Sequence, residues 1–362
     1  MQDQRTINAG RIERLKEILR ERTVGALLVI NLANIRYLTG FSGSSGFLLI
    51  SEHGDFFFTD FRYKEQSETE VSGAEIVITE NDSVSFITNF MIEKLGFEEF
   101  YIEDTIPLRQ FQEFGKKLKV SATQDVVEVL RELKDAYELQ MISKAVERAE
   151  RALIEVKPYI RPGVTEREIA LRLDESLKTT GVRKLPFDTI IASGVNTAIV
   201  HAKPTEKLLE PGDFVLIDWG GECEGYFSDM TRTFLLKGDN LAKKREIYEF
   251  VQIANELGRT SVTAGKSAAE IDTVTRDIIT KAGYGQYFGH STGHGVGLDV
   301  HELPYIRSYN TQTTIQQGMV FTIEPGIYIS GLGGVRIEDM VVVENKNNCK
   351  TLTSLPRNLE IL

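Results

Sequence analysis

A chain of 362 residues is long for a single hydrophobic core, so two domains are expected. Its 41% hydrophobic and 26% charged residues describe an ordinary globular protein, and no run approaches the roughly 20 apolar residues of a membrane span. A formal charge of −11 without basic clusters argues against nucleic acid as a partner, and two cysteines, Cys223 and Cys349, are too few for a disulfide framework and fit a reducing cytoplasm.

The polar opening has no apolar core of a signal peptide, which again points to the cytoplasm. Ile12, Leu15, Ile18 and Leu19 then recur at helical spacing and predict a helix over residues 11–22. Short apolar runs at 24–30, 46–51, 56–59, 74–79 and 100–102 predict buried strands, with helices at 83–95 and 108–118 between them. A helix-rich stretch covers residues 125–160 and holds the expected join between domains 1–130 and 131–362. Beyond it, helices at 166–178, 242–262 and 268–282 alternate with strands and glycine turns. The fold class is therefore α/β in the first domain and α+β in the second.

Five side chains in the second domain stand out. Asp218 and Glu324 each end a short apolar, strand-like run, where a solvated carboxylate is not expected. A carboxylate desolvated in this way must be paired or must coordinate a metal. Asp229 follows Asp218 and Glu338 follows Glu324, so each acid pair could occupy its own β-hairpin. Opposing Asp218 to Asp229 puts one turn at Cys223–Glu224, and opposing Glu324 to Glu338 centres the other on Gly331. His294 lies between the two pairs. Four acids and one imidazole suit two divalent cations with shared carboxylates, the equipment of a two-metal hydrolase. Taken singly, the acids have plainer readings: Asp229 could pair with Arg232, and Glu338 with Arg336. The adjacent acids Glu338 and Asp339 point to opposite faces of a strand, and the hairpin register selects Glu338 for the metals.

Of five histidines, His53 sits in a polar turn, whereas His201, His290, His294 and His301 fall in the acid-rich domain. Glycines at 289, 293, 295 and 297 argue against a helix there and for a tight loop or bulged strand. The same segment, Gly289-His290-Ser291-Thr292-Gly293, matches the nucleophile elbow of serine hydrolases. Gly295 and Gly297 make the helix required after that elbow implausible. Trp219 and Cys223 are read as packing residues.

At these positions the chain resembles the pita-bread metallopeptidases. The motifs are Asp218-x-Gly with Asp229, Ser228-Asp-Met-Thr-Arg-Thr233, Gly293-His-Gly-Val-Gly297, Thr322-Ile-Glu-Pro-Gly326 and Val335-Arg-Ile-Glu-Asp339. Asn34-Ile-Arg-Tyr-Leu-Thr-Gly-Phe41 resembles the extra N-terminal domain of the proline-specific branch, the Xaa-Pro aminopeptidases and Xaa-Pro dipeptidases. The resemblance implies a creatinase/prolidase-like domain over 1–130 and, over 131–362, a pita-bread domain with antiparallel sheet flanked by helices. It implies that Asp218 holds one metal, His294 with Glu324 the other, and that Asp229 and Glu338 bridge them. The metals would be Mn2+, with Co2+ or Zn2+ as alternatives. His201, His301 and Glu324 would carry catalysis, while His290, Tyr328 and Arg336 would serve the substrate site. A peptide substrate, cleaved by release of an N-terminal residue before proline, and a homodimer are the expected partners. Dipeptide cleavage is the alternative, and a non-peptidase amidinohydrolase or binding protein is more distant. One departure is Gly221, where the family often carries alanine.

Overall fold

Short runs of Leu, Ile, Val and Phe, separated by turns and amphipathic helices, build a six-stranded mixed sheet in the first part of the chain. Its order is Glu75–Thr79, Phe56–Asp60, Phe47–Ser51, Ala26–Val29, Glu99–Glu103 and Lys119–Thr123. Leu28, Leu49, Phe58, Phe100 and Ile102 from the strands pack on Ile87 and Met91 of helix Ser83–Glu93 and on Phe114 of helix Leu108–Phe114. The computed structural model describes residues 4–80 and 82–362 and separates into two units, Met1–Arg131 and Glu132–Leu362. Some elements of the first unit escape the hydrophobic pattern, among them the charged helix Lys64–Glu70. Helix Leu32–Thr39 is short, capped by the Asn31 side chain and closed by Gly40 at φ 88°. Strand Lys119–Thr123 is polar because it lies at the sheet edge.

The second unit begins at a capping box in which the Asp135 and Glu138 side chains each accept from the other's backbone N–H. Helix Ala136–Val156 follows and buries Met141, Ala145, Ala149 and Leu153. A three-stranded antiparallel sheet runs in the order Met230–Leu235, Phe214–Trp219, Ile190–Ser193. A five-stranded antiparallel sheet runs Glu302–Ile306, Gly293–Gly295, Val320–Ile323, Asp339–Asn345, Asn348–Thr351. Helix Ala242–Ser261 sets Ile247, Val251 and Ala254 against Phe214, Ile327, Val335 and Ile337. Ile271 of helix Ala268–Lys281 joins Phe321, Ile323 and Val341 in a second core. Helices thus flank antiparallel sheets; Asp218 lies within a strand, and Asp229, Glu324 and Glu338 lie at strand ends.

Candidate metal centre and active site

The first acid pair lies on a hairpin whose turn residues, Glu224 and Gly225, have φ of 48° and 77°. Two positive φ values match the twist of the flanking strands, the reason such turns favour hairpins. The turn is one residue later than the sequence reading placed it. Asp218 is therefore opposed to Thr231, not to Asp229, and Trp219 to Met230. The opposed pairing of Asp218 with Asp229 is thereby corrected. A two-residue shift keeps side chains on the same face, so the two carboxylates still converge.

The second pair keeps the expected register. Gly326 pairs with Arg336 on one side of the acids and Ile323 with Asp339 on the other, which sets Glu324 across from Glu338. Gly331, at φ 79°, forms the turn. At the acids themselves the ladder opens. The Glu324 N–H donates to the Thr292 carbonyl at 2.8 Å, and the Glu338 N–H to the Thr231 carbonyl at 3.1 Å. One acid is thus tied to the histidine segment and the other to the first hairpin. Asn255 bridges the opening from helix Ala242–Ser261, its Nδ2 donating to the Ile323 and Ile337 carbonyls at 3.1 Å each.

His294 lies on strand Gly293–Gly295, with a bulge between His294 and Gly295, as the glycine pattern implies. A Cβ on Gly293 would meet the Thr322 carbonyl oxygen at 1.8 Å, and one on Gly295 that of Leu303 at 2.1 Å. No side chain fits between these strands. The elbow reading fails, because Gly289–Gly293 leads into a strand and not a helix. His294 Nδ1 faces the Gly295 carbonyl at 3.1 Å, and so carries the proton. Its Nε2 lone pair faces the acids, 3.6 Å from Asp229 Oδ2 and 3.5 Å from Glu324 Oε1.

Ligand-type atoms lie within 4.8 Å of one another in three sets: Asp218, Asp229 and Glu338; His294, Glu324 and Glu338; and Asp229, His294 and His301. Burial, reinforced by repulsion from neighbouring acids, raises the Asp229 and Glu338 carboxyls well above their ordinary range. Burial pushes Glu324 up to about 8 and the His294 imidazole down to about 3. Among the described residues, Asp218 Oδ1 and Asp229 Oδ1 are buried without a hydrogen-bond partner. Crowded, undersolvated acids beside a neutral imidazole are what a cation site requires, and these residues fit one.

The singly plausible salt bridges do not form. Arg232 donates to Asp339 at 2.8 Å, and Asp339 also accepts from Arg357 and Thr353. Those partners hold the Asp339 carboxyl well below its usual range despite full burial. Arg336 donates to Asp218 Oδ2 at 2.5 Å and to the Tyr328 hydroxyl at 2.8 Å. His290 Nδ1 donates to the Ser291 carbonyl, so its Nε2 accepts from Tyr328, 2.9 Å away. Arg336, Tyr328 and His290 form one hydrogen-bonded chain, and burial together with the Arg336 charge lowers His290 to about 4.

The four acids Asp218, Asp229, Glu324 and Glu338, with His290, His294 and Arg336, line a cleft of about 650 Å³, together with His201, His301, Phe187, Lys203, Tyr305 and Arg307. Tyr328 lies behind its wall, bracing Arg336 and His290. The His301 ring packs on His294 with centroids 4.2 Å apart, and burial lowers its pKa. Residues 140–345 match the model of metallopeptidase family M24, and residues 11–133 match the creatinase/prolidase N-terminal domain.

The chain belongs to metallopeptidase family M24.

It is 38% identical over 352 residues to an Xaa-Pro dipeptidase of Pyrococcus furiosus, spanning 96% of this chain and 99% of that protein. A solved Xaa-Pro dipeptidase from Bacillus anthracis superposes with a TM-score of 0.94 at 37% identity, covering 98% of this chain and 100% of the other. A solved X-Pro aminopeptidase from Thermotoga maritima gives 0.86 at 34% identity, covering 97% and 99%. Within this M24 chain the glycine at 221 has a local cause: a Cβ there would lie 2.3 Å from the Ala145 carbonyl oxygen of helix Ala136–Val156. Trp219 donates to the Ala149 carbonyl of the same helix at 2.9 Å, a packing role. The sequence reading passed over Thr231, whose hydroxyl donates to Glu338 at 2.8 Å and accepts from Arg336 at 3.0 Å. Its place opposite Asp218 would have been visible had the turn been set at Glu224–Gly225. Asn255 and the pair Asp272–Arg276 were also missed, since a polar residue on a helix carries no signal of what it reaches. Arg276 donates to the Phe288 and His290 carbonyls, and Asp272 accepts from Thr292, so the pair holds the segment that leads to His294.

Proposed function

We propose that this chain is a dinuclear-metal peptidase that cleaves the bond between an N-terminal residue and a following proline. The observation that supports it best is the convergence of four acids and His294, from three strand pairs, on one cleft of about 650 Å³. Asp218, Asp229 and Glu338 would hold one cation, and His294, Glu324 and Glu338 a second. Oxygen-rich ligands favour Mn2+, with Co2+ or Zn2+ as alternatives. When bound, such a pair supplies an acidified water as nucleophile at neutral pH and a Lewis acid for the scissile carbonyl.

The chain's own groups do the rest. Glu324 takes up the proton of the attacking water and returns it to the departing nitrogen. His201 and His301 donate to the carbonyl oxygen as it becomes negative, where a donor acts most strongly. His290 has both ring nitrogens engaged and so shapes the wall with Arg336, both braced from behind by Tyr328. Proline in second position suits a dedicated enzyme, because its imide nitrogen offers no N–H to an ordinary peptidase.

Release of the N-terminal residue from longer X-Pro-Y peptides is the primary reading. Dipeptide specificity is the second, supported by the likeness to the Bacillus anthracis dipeptidase. A non-peptidase amidinohydrolase or a binding protein is disfavoured because all five ligand side chains are present together. A homodimer and a cytoplasmic location belong to the same proposal, the first checked by sedimentation. The deciding assay offers X-Pro and X-Pro-Y to the Mn2+-loaded protein. Cleavage of both is expected, with X-Pro-Y preferred; cleavage of X-Pro alone establishes the dipeptidase, and cleavage of neither defeats the proposal.

A further inference from the structure

His201 faces the cleft at the end of a segment that belongs to no sheet. After strand Ile190–Ser193 the chain makes a short 3-10 turn, Gly194–Ala198, and then runs irregularly through Val200–Pro204 along the cleft wall. His201 is exposed, and among the described residues its ring has no hydrogen-bond partner of its own. Its position is therefore set by whatever fixes the backbone on either side.

Arg336 Nη1 reaches the Val200 carbonyl at 3.4 Å and Thr197 accepts from the Gly334 N–H, but the group that ties both ends of the segment together is one carboxylate. Glu166, the first residue of helix Glu166–Thr179, is fully buried. Its Oε1 accepts from the Ser193 N–H at 2.7 Å, the Ser193 hydroxyl at 2.9 Å and Asn196 Nδ2 at 3.0 Å. Its Oε2 accepts from the Thr205 N–H at 3.0 Å and the Thr205 hydroxyl at 2.6 Å. One oxygen thus holds the chain before His201 and the other holds it after. No cation among the described residues lies within ion-pair distance of Glu166, so its partners are neutral donors and the helix N-terminus. Two backbone bonds repeat the same closure, from the Glu166 N–H to the Lys207 carbonyl at 3.1 Å and from the Arg167 N–H to that of Thr205 at 3.0 Å.

We propose that Glu166 is a positioning residue for His201, a buried strap that closes the 193–205 segment and aims the imidazole at the scissile carbonyl. This rests on the reading of His201 as a donor to that carbonyl. Glu166 touches neither substrate nor metal, so its effect passes through His201.

The test is a double-mutant cycle on the Mn2+-loaded enzyme, with kcat, KM and metal stoichiometry measured for each variant. His201→Ala is expected to lower kcat about 100-fold. Glu166→Gln, which turns an amide against donors that had faced an oxygen, is expected to lower kcat about 10-fold with unchanged metal content. The double variant is expected to fall no more than about twofold below His201→Ala alone, because linked residues are non-additive. Thr205→Val keeps the shape and removes the hydroxyl's bond to Glu166 together with the one it accepts from the Lys207 N–H. It is expected to lower kcat about threefold with the same non-additivity, and it carries the test if Glu166→Gln does not fold. Additive losses, or wild-type kcat in both strap variants, overturn the strap while leaving the role of His201 intact. Wild-type kcat in His201→Ala overturns that role and the strap together.

Discussion

Glu338 and Asp339 are neighbours with opposite fates, and the contrast shows how strand geometry divides chemistry from structure. Glu338 joins both acid sets that include it and accepts from Thr231 at 2.8 Å. Asp339 points to the other face, fully buried among Arg232, Arg357 and Thr353. Glu338→Gln is expected to lose metal and activity together, since a neutral amide cannot bridge two cations. Asp339→Asn is expected to retain metal, with at most a modest loss of rate. Breaking its buried ion pairs should still cost about 3–5 kcal/mol of stability. Metal stoichiometry and thermal melting of both variants decide the matter, and the reverse pattern of metal loss would refute the assignment. His301 poses a related question, because its ring nitrogen lies within 4.8 Å of ligand atoms on Asp229 and His294. As a donor to the substrate its replacement by Ala should reduce kcat about 100- to 1,000-fold with metal retained. Loss of metal in that variant would make it a ligand.

At the scale of elements, the site is made where strands stop pairing with each other. The ladder between 320–329 and 333–342 opens at Glu324 and Glu338, whose N–H groups turn to the histidine segment and to the first hairpin. Asn255 caps the carbonyls on either side of that opening. Asn255→Ala removes the amide donor to both carbonyls, at about 1–3 kcal/mol for each group left unsatisfied. Lower melting temperature and weaker Mn2+ binding are expected in titrations of that variant; unchanged metal affinity would show that the opening holds itself. The second hairpin was legible in the sequence because its spacing, centred on Gly331, left little freedom. The first was read one residue early, since a Glu-Gly turn is a weaker signal than Asn-Gly and the strands flanking it are apolar on both faces. Helix Leu32–Thr39 and strand Lys119–Thr123 were not legible at all, the one too short for a period and the other too polar for a core strand. The clustered acids stood out in the sequence because carboxylates at the ends of apolar runs violate the ordinary pattern. Their supports were not, because Asn255, Asp272 and Glu166 look like any polar helix residue until the fold says what they face.

For the whole molecule, the acids link stability, pH and metal. In the metal-free chain Glu324 titrates at about 8 against an ordinary 4.5, because burial disfavours its charge. Between those values the folded chain keeps a proton that the unfolded chain has released. This contribution to stability is complete below 4.5 and is lost as pH rises towards about 8. Asp229 and Glu338 shift in the same direction. Cations must displace these protons, so binding strengthens as pH rises. A fixed Mn2+ concentration is therefore expected to raise Tm more at about pH 8 than at about pH 6, and equal shifts would contradict the linkage. No helix among the described residues is long and apolar enough to cross a membrane. The central claim is that five side chains hold two catalytic cations, and it is tested most directly by removing them. After dialysis against a chelator the protein should not cleave X-Pro-Y, and activity should return as Mn2+ is titrated to two ions per chain. Full cleavage by the metal-free protein, or full recovery at one ion per chain, would contradict it.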